Sequence, residues 1–361
     1  MQTIFNSDLG SIHEALSSKK NRFAGATILI TGCAGFLGFY FMNYLARYAA
    51  ELKIEKIIGL DTFLLDKPKW LDQLLATYPA VVELHHFDIS RDDLSKITGA
   101  EKARYVLHLA SIASPTFYRQ YPLETIDANI WGLRHLLNFF QNRKSLEGLL
   151  FFSSSEIYGD PDAANIPTAE DYRGNVACVG PRACYDASNR FGETLCQVFP
   201  EKYGVPITVA RPFNNYGPGM RLGDKRLPAD LASCVLQDRD IVLYSNGSPT
   251  RTFCYITDAV IGYFLCLLHG KFEAFNIGIE TPEITVKQLA DYFQLAGQKL
   301  KSYKGTVRFE VSSDTSYLSH NPQRRCPIIA KARQVLNYNP QISVQDGVHR
   351  YLQFLIETGA M

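Results

Sequence analysis

The run Ala26-Thr-Ile-Leu-Ile-Thr31 passes without a break into Gly32-Cys-Ala-Gly-Phe-Leu-Gly38, and an apolar helical pattern follows from Phe36 to Tyr48. A short buried strand, a glycine turn spaced TGxxGxxG and a helix, in that order, leave few folds open. Gly32 permits the tight turn, Gly35 lets backbone approach a pyrophosphate, and Gly38 lets helix and strand pack closely. The free N–H groups at such a helix N-terminus, around Phe36 and Leu37, form an anion site. The next strand pattern, Lys56-Ile-Ile-Gly-Leu60, closes on Asp61. A carboxylate there accepts both ribose hydroxyls of a dinucleotide and repels a 2′-phosphate, which favours NAD over NADP. Asp88 and Ile89, after the third strand, are placed to meet the adenine.

Further strand signals fall at Val81–His85, Arg104–Leu109, Gly148–Phe152 and Pro206–Ala210. Helical patterns lie between most of them, the clearest at Ile126–Gln141 and Ala187–Tyr203. Strands alternating with amphipathic helices give an α/β chain with a Rossmann-type doubly wound parallel sheet. From Pro212 the texture changes. Gly, Pro, Asn and Arg become dense through Gly223 and again over 245–251, as expected of a smaller lobe folded over the carboxyl edge of the sheet. The expected division is an N-terminal extension (1–23), a dinucleotide-binding domain (24–211 with 253–276) and a substrate lobe (212–252 with 277–361). In the extension, Ser7 is a candidate cap for a short helix through Ile12 and Leu16.

Composition narrows the partners. Lys+Arg is 37 against Asp+Glu 36, a net charge of +1, without the basic excess that nucleic-acid binding calls for. The eight cysteines form no CxxC pair and no Cys/His cluster with metal spacing, so unbridged thiols and no metal are expected. The first 25 residues lack an apolar leader core, and the most apolar stretch, Ala259–Leu268, is far short of the ~20 residues of a spanning helix. A cytoplasmic location with no membrane contact is the default expectation.

Several ordered motifs resemble the extended short-chain dehydrogenase/reductase superfamily. Leu109-Ala-Ser111, with Ala110, looks like its cofactor-lining segment, and Asn129 in Asp127-Ala-Asn-Ile-Trp-Gly-Leu matches its helix asparagine. Ser153-Ser-Ser-Glu-Ile-Tyr-Gly159 and Gly180-Pro-Arg-Ala-Cys-Tyr185 are similar to the UDP-glucuronate decarboxylase branch. So are Arg211-Pro-Phe-Asn-Asn-Tyr-Gly-Pro218, Tyr244-Ser-Asn-Gly-Ser-Pro-Thr-Arg251 and Gln323-Arg-Arg-Cys-Pro327. The likeness runs from about Thr27 to Tyr351. It implies NAD as cofactor, a nucleotide-diphosphate sugar (a UDP-sugar favoured) as substrate, and a homodimer formed through helices 126–141 and 187–203.

The resemblance also implies roles. Tyr185 is the base for the sugar C4 hydroxyl. Glu156, with Ser154 or Ser155, serves the chemistry after C4 becomes a ketone, when a C6 carboxylate is a β-keto acid and loses CO₂ readily. Arg325 is a carboxylate or proton partner. Arg251 clamps diphosphate through its guanidinium fork. Asn214 lies beside the sugar or its phosphate, Tyr244 belongs to the segment gripping base and diphosphate, Arg226 is a second phosphate candidate, and Arg324 lies near the sugar. An alternative makes Arg324 and Arg325 a surface pair capping the helix from Ala330.

One position departs from the superfamily pattern Tyr-x-x-x-Lys. The run here is Tyr185-Asp-Ala-Ser-Asn189. Asn189 can keep a hydrogen bond to the nicotinamide ribose but has no charge to lower the tyrosine pKa. A free tyrosine titrates near ~10, so about one molecule in a thousand is phenolate at pH 7. Three readings stay open: a C4-oxidising enzyme that decarboxylates, an epimerase or 4,6-dehydratase relative, and a pseudoenzyme that binds NAD and a nucleotide sugar without turnover.

Overall fold

The computed structural model describes residues 3–244, 246–310 and 323–359; Ser245, in the Tyr244–Arg251 segment, lies outside them. Seven strands form the main sheet: β1 (Thr27–Thr31), β2 (Lys56–Asp61), β3 (Val82–His86), β4 (Ala103–His108), β5 (Gly148–Phe152), β6 (Ile207–Pro212) and β7 (Ala274–Ile277). Their order is β7-β6-β5-β4-β1-β2-β3, with every neighbouring pair parallel. This is the doubly wound sheet expected from the sequence. The strand order reverses between β1 and β4, where a crevice opens at the carboxyl ends. The continuous burial of β1 and β5 follows from helices on both faces. β7 carried too short an apolar run to stand out in the sequence.

Three helices differ from expectation. The segment expected as one helix over Ile126–Gln141 is α-helical at Pro122–Ile126, passes through a π-helical turn at Asp127–Gly132, and resumes at Leu133–Phe140. The turn packs closely on Ile89: a Cβ on Gly132 would stand 2.7 Å from the Ile89 side chain. The helix expected from Ala187 begins at Ala183 and runs to Tyr203, which puts Tyr185 in its first turn. The N-terminal helix spans Thr3–Ala15, so Ser7 lies inside it and caps nothing. Its start is held by the C-terminal helix Val344–Thr358 instead, where Glu357 accepts from the Thr3 hydroxyl at 2.7 Å. Asp8 is fully buried and bonded to Tyr40, Tyr255 and Arg350, which ties residues 3–15 to the core.

The cysteines are unbridged. Among the described residues no helix is long and apolar enough to cross a membrane, and no group of His, Cys, Asp or Glu is placed to hold a metal ion.

Candidate active site

A cleft of about 1550 Å³ follows the carboxyl ends of the strands. At one end the glycine turn behaves as its spacing demands. Gly32 has φ +69°, and a Cβ there would stand 2.6 Å from backbone atoms of Leu109 and Ala110, so β1 and β4 close together only over glycine. A Cβ on Gly38 would lie 2.2 Å from the Cys33 carbonyl oxygen. Gly35 caps the helix Phe36–Arg47, and Phe36, Leu37 and Gly38 line the cleft at that helix N-terminus. Asp61 ends β2 with its carboxylate fixed by two backbone N–H donors, Ala34 at 2.9 Å and Phe63 at 2.8 Å. Burial pushes its pKa up, and these two bonds pull it back. Asp88, Ile89, Leu109, Ala110 and Ser111 line the same cleft.

These residues fit NAD. The helix N-terminus suits a pyrophosphate, and the anchored carboxylate has acceptor capacity left for ribose hydroxyls. The Ser111 Oγ is buried and without a partner among the described residues, on the wall of the cleft, so a polar group must come from a ligand or water to satisfy it.

Beyond β5 the chain enters a turn, Ser155–Tyr158, that brings Ser154, Ser155 and Glu156 to the cleft. Ser154 starts the turn by accepting the Glu156 N–H at 3.1 Å. Tyr185 faces it from the first turn of the helix Ala183–Tyr203, stacked on Tyr118 with ring centroids 5.1 Å apart. Burial pushes the Tyr185 phenol up to about 12; a bond with Ser154 opposes this, while the charges of Glu156 and Asp186 add to it. Glu156 lies between two guanidiniums. Arg182 donates to one carboxylate oxygen, and Arg325 Nη1 lies 3.0 Å from the other while also bonding Ser155 at 3.2 Å. Burial alone would raise the Glu156 pKa, but Arg325, Arg182 and Arg251 together hold it below the ordinary range.

Arg251, Asn214, Tyr244 and Arg226 also line the cleft. Asn214 sits at φ +43° with its amide on the Thr252 carbonyl at 2.9 Å, a backbone state asparagine tolerates better than most residues. Arg226 pairs with Asp224 and lies over the Phe36 ring. Burial and the neighbouring Arg325 charge draw the Arg251 pKa down to about 10, as expected where cations converge to meet an anion.

Three expected site residues stand elsewhere. Asn189 is fully buried outside the cleft and donates to the Tyr185 carbonyl at 2.9 Å. The expected bond to a nicotinamide ribose is therefore not prepared. Asn129 is also fully buried, in the π-helical turn, and donates to Ser188 at 2.8 Å. Arg324 points away from the cleft, because alternate residues of an extended pair face opposite ways, and it binds Glu283 at 2.6 Å. The arginine pair does not cap the helix from Ala330; Glu280 instead accepts the N–H of Ile329, the residue before it, at 2.9 Å. Sequence reading missed Tyr118, Asp186 and Arg182. Arg182 alone left a signal, as the third residue of Gly180-Pro-Arg.

The model of the NAD dependent epimerase/dehydratase family matches residues 28–278. The chain belongs to this family. UDP-glucuronic acid decarboxylase 6 of Arabidopsis thaliana is 31% identical over 324 residues, which cover 89% of this chain and 86% of that protein. UDP-glucuronic acid decarboxylase 1 of Xenopus tropicalis is 30% identical over 328 residues, covering 91% and 71%. These relatives agree with the decarboxylase branch that the motifs resemble. Among solved family folds, UDP-glucose 4-epimerase of Thermotoga maritima with UDP-glucose aligns at a TM-score of 0.78 and 22% identity, over 92% of this chain and 99% of that one. UDP-glucuronic acid 4-epimerase of Bacillus cereus, in complex with UDP-glucuronic acid and NAD, aligns at 0.75 and 24% over the same shares. Likeness at that identity speaks for the shared fold.

Proposed function

We propose that this protein is an NAD-dependent enzyme that oxidises C4 of a UDP-linked uronic acid and decarboxylates the resulting ketone. The observation that carries the reading is the cluster Glu156–Arg182–Arg325 at the cleft wall beside Tyr185. Two guanidiniums next to the sugar position suit a substrate that brings a carboxylate of its own. A 4,6-dehydratase needs a carboxylic acid next to this glutamate to protonate a leaving hydroxyl, and that neighbour is Ser155. The decarboxylase relatives at 30–31% identity point the same way.

NAD, when bound, supplies the hydride acceptor. Tyr185 takes the C4 hydroxyl proton, with Ser154 holding the phenol oxygen. Arg251 and Arg226, with Asn214 and Tyr244 alongside, hold the nucleotide diphosphate. Asp61 and the Gly32–Gly38 turn hold the dinucleotide. Arg325 holds the C6 carboxylate that departs as CO₂. We assign residues 24–211 with 253–276 to the dinucleotide and the remainder after 211 to the nucleotide sugar. A homodimer through the exposed Leu123, Trp131, Phe191 and Val198 fits the same reading. Of the apolar residues of helices 126–141 and 187–203, Leu133, Leu136, Leu137 and Leu195 are core and Ile130 is half-buried.

The test is incubation with NAD and a panel of nucleotide sugars, followed by mass spectrometry. UDP-glucuronate is expected to lose the mass of one CO₂ and give a UDP-pentose. Isomerisation without mass loss would make the protein an epimerase. Tight NAD binding with no turnover of any sugar at pH about 9–10, where far more phenolate is present, would make it a pseudoenzyme.

A further inference from the structure

Decarboxylation leaves one proton to be found. The hydride that leaves C4 returns to C4, and the hydroxyl proton that moves to Tyr185 returns to the oxygen. At C5 the bond to C6 breaks with its electron pair left on the ring, CO₂ departs, and a C5–H bond forms. One proton is therefore drawn from solvent in every turnover, while the sugar covers the cleft side of Glu156.

On the other side of Glu156 lies a second cavity of about 270 Å³. Glu156, Arg182 and Arg325 form a wall common to it and the cleft, and Asp186 lines this cavity but not the cleft. Its outer wall is the chain around Asn175–Gly180, where Val179 is 81% exposed. Asp186 is itself only 7% exposed, and its Oδ1 is buried without a partner among the described residues. Its Oδ2 lies 3.8 Å from Arg182 Nε, while another nitrogen of the same guanidinium bonds Glu156. Two carboxylates thus share one cation, one at the cleft and one at the cavity.

We propose that this cavity is the proton port of the reaction: Asp186, recharged from cavity water, passes a proton through a bridging water to Glu156, which delivers it to sugar C5. The inference rests on the decarboxylase reading. The charges around Asp186 suit the role. Burial and the Glu156 charge push its carboxyl up to about 7, with Arg182 and Arg325 opposing, and the Tyr118 and Tyr185 phenols stand close enough to feel it. A group of that pKa is half protonated at neutral pH, where proton transfer in either direction is easy. A substrate carboxylate arriving at Arg325 cancels part of the field that keeps Glu156 anionic, so that Glu156 can carry the proton onward.

The experiment is a single turnover of UDP-glucuronate by the NAD-loaded enzyme, following CO₂ release and UDP-pentose formation separately in wild type, Asp186→Asn and Ala177→Leu. Ala177 lines the cavity and not the cleft, so the leucine narrows the port without touching substrate. In wild type the two signals are expected to run together up to neutral pH, with pentose formation falling behind CO₂ release above pH about 7, as Asp186 loses its proton. In Asp186→Asn, pentose formation is expected to lag CO₂ release by at least about tenfold at every pH, with KM within about threefold. Ala177→Leu is expected to slow pentose formation in the same phase, and its result decides should Asp186→Asn fail to fold. Pentose formation that keeps pace with CO₂ release in the folded variants overturns the proton port and leaves the decarboxylase reading intact. Wild type that releases no CO₂ overturns the decarboxylase reading, and the port with it.

Discussion

Asn189→Lys raises turnover at pH 7 by about tenfold to a thousandfold and moves the alkaline rise of the rate profile down by one to three pH units. The Tyr185 phenol is pushed up to about 12 by burial, so at pH 7 roughly one molecule in 10⁵ carries the phenolate. The sign follows from that shift. The reactive form is the deprotonated one, so the rate climbs about tenfold per pH unit from neutrality until it approaches the phenol pKa. Asn189 lies one turn beyond Tyr185 on the same helix, and an ammonium reaching from there favours the phenolate as any opposite charge within ~4–6 Å does. Rates of the two proteins should converge at high pH. The check is kcat against pH from about 6 to 10, with melting curves to confirm that the buried position accepts lysine. An unchanged profile would mean that Tyr185 is not the base, or is activated by another group.

Tyr185→Phe is expected to lower kcat by about a thousandfold, within the 10²–10⁴ range of a positioned general base. Binding should survive. The ring at 185 keeps its stack on Tyr118, and the groups proposed to hold cofactor and diphosphate stand on other segments. Calorimetry should give NAD and UDP affinities within about threefold of wild type. A variant retaining more than about a tenth of wild-type turnover would place the base elsewhere.

Local chemistry made most of the sheet legible before any coordinates. Glycine spacing, strand alternation and Asp61 are short-range signals, and the observed strand ends fall within about two residues of those expected, the usual scatter of element boundaries. The site was harder to read. Glu156 draws its character from Arg182 and Arg325, which are 26 and 169 positions away in sequence, and no local pattern records such a pairing. Asn189 was legible as a missing charge, but its turn back onto the Tyr185 carbonyl shows only in the packed helix. Arg324 and Arg325 are adjacent and chemically alike; the alternation of an extended segment puts one on the surface with Glu283 and the other into the site. Asp186 follows the central tyrosine directly, yet its importance comes from a cavity that only the fold creates.

The most direct measurement is a crystal structure of the protein with NAD and UDP-glucuronate bound. The account predicts the sugar C4 hydroxyl within about 3 Å of the Tyr185 oxygen and the C6 carboxylate against Arg325 and Glu156, with the cavity beyond them open to water. A uronic acid bound with its carboxylate toward solvent, or with C4 out of reach of Tyr185, would contradict it.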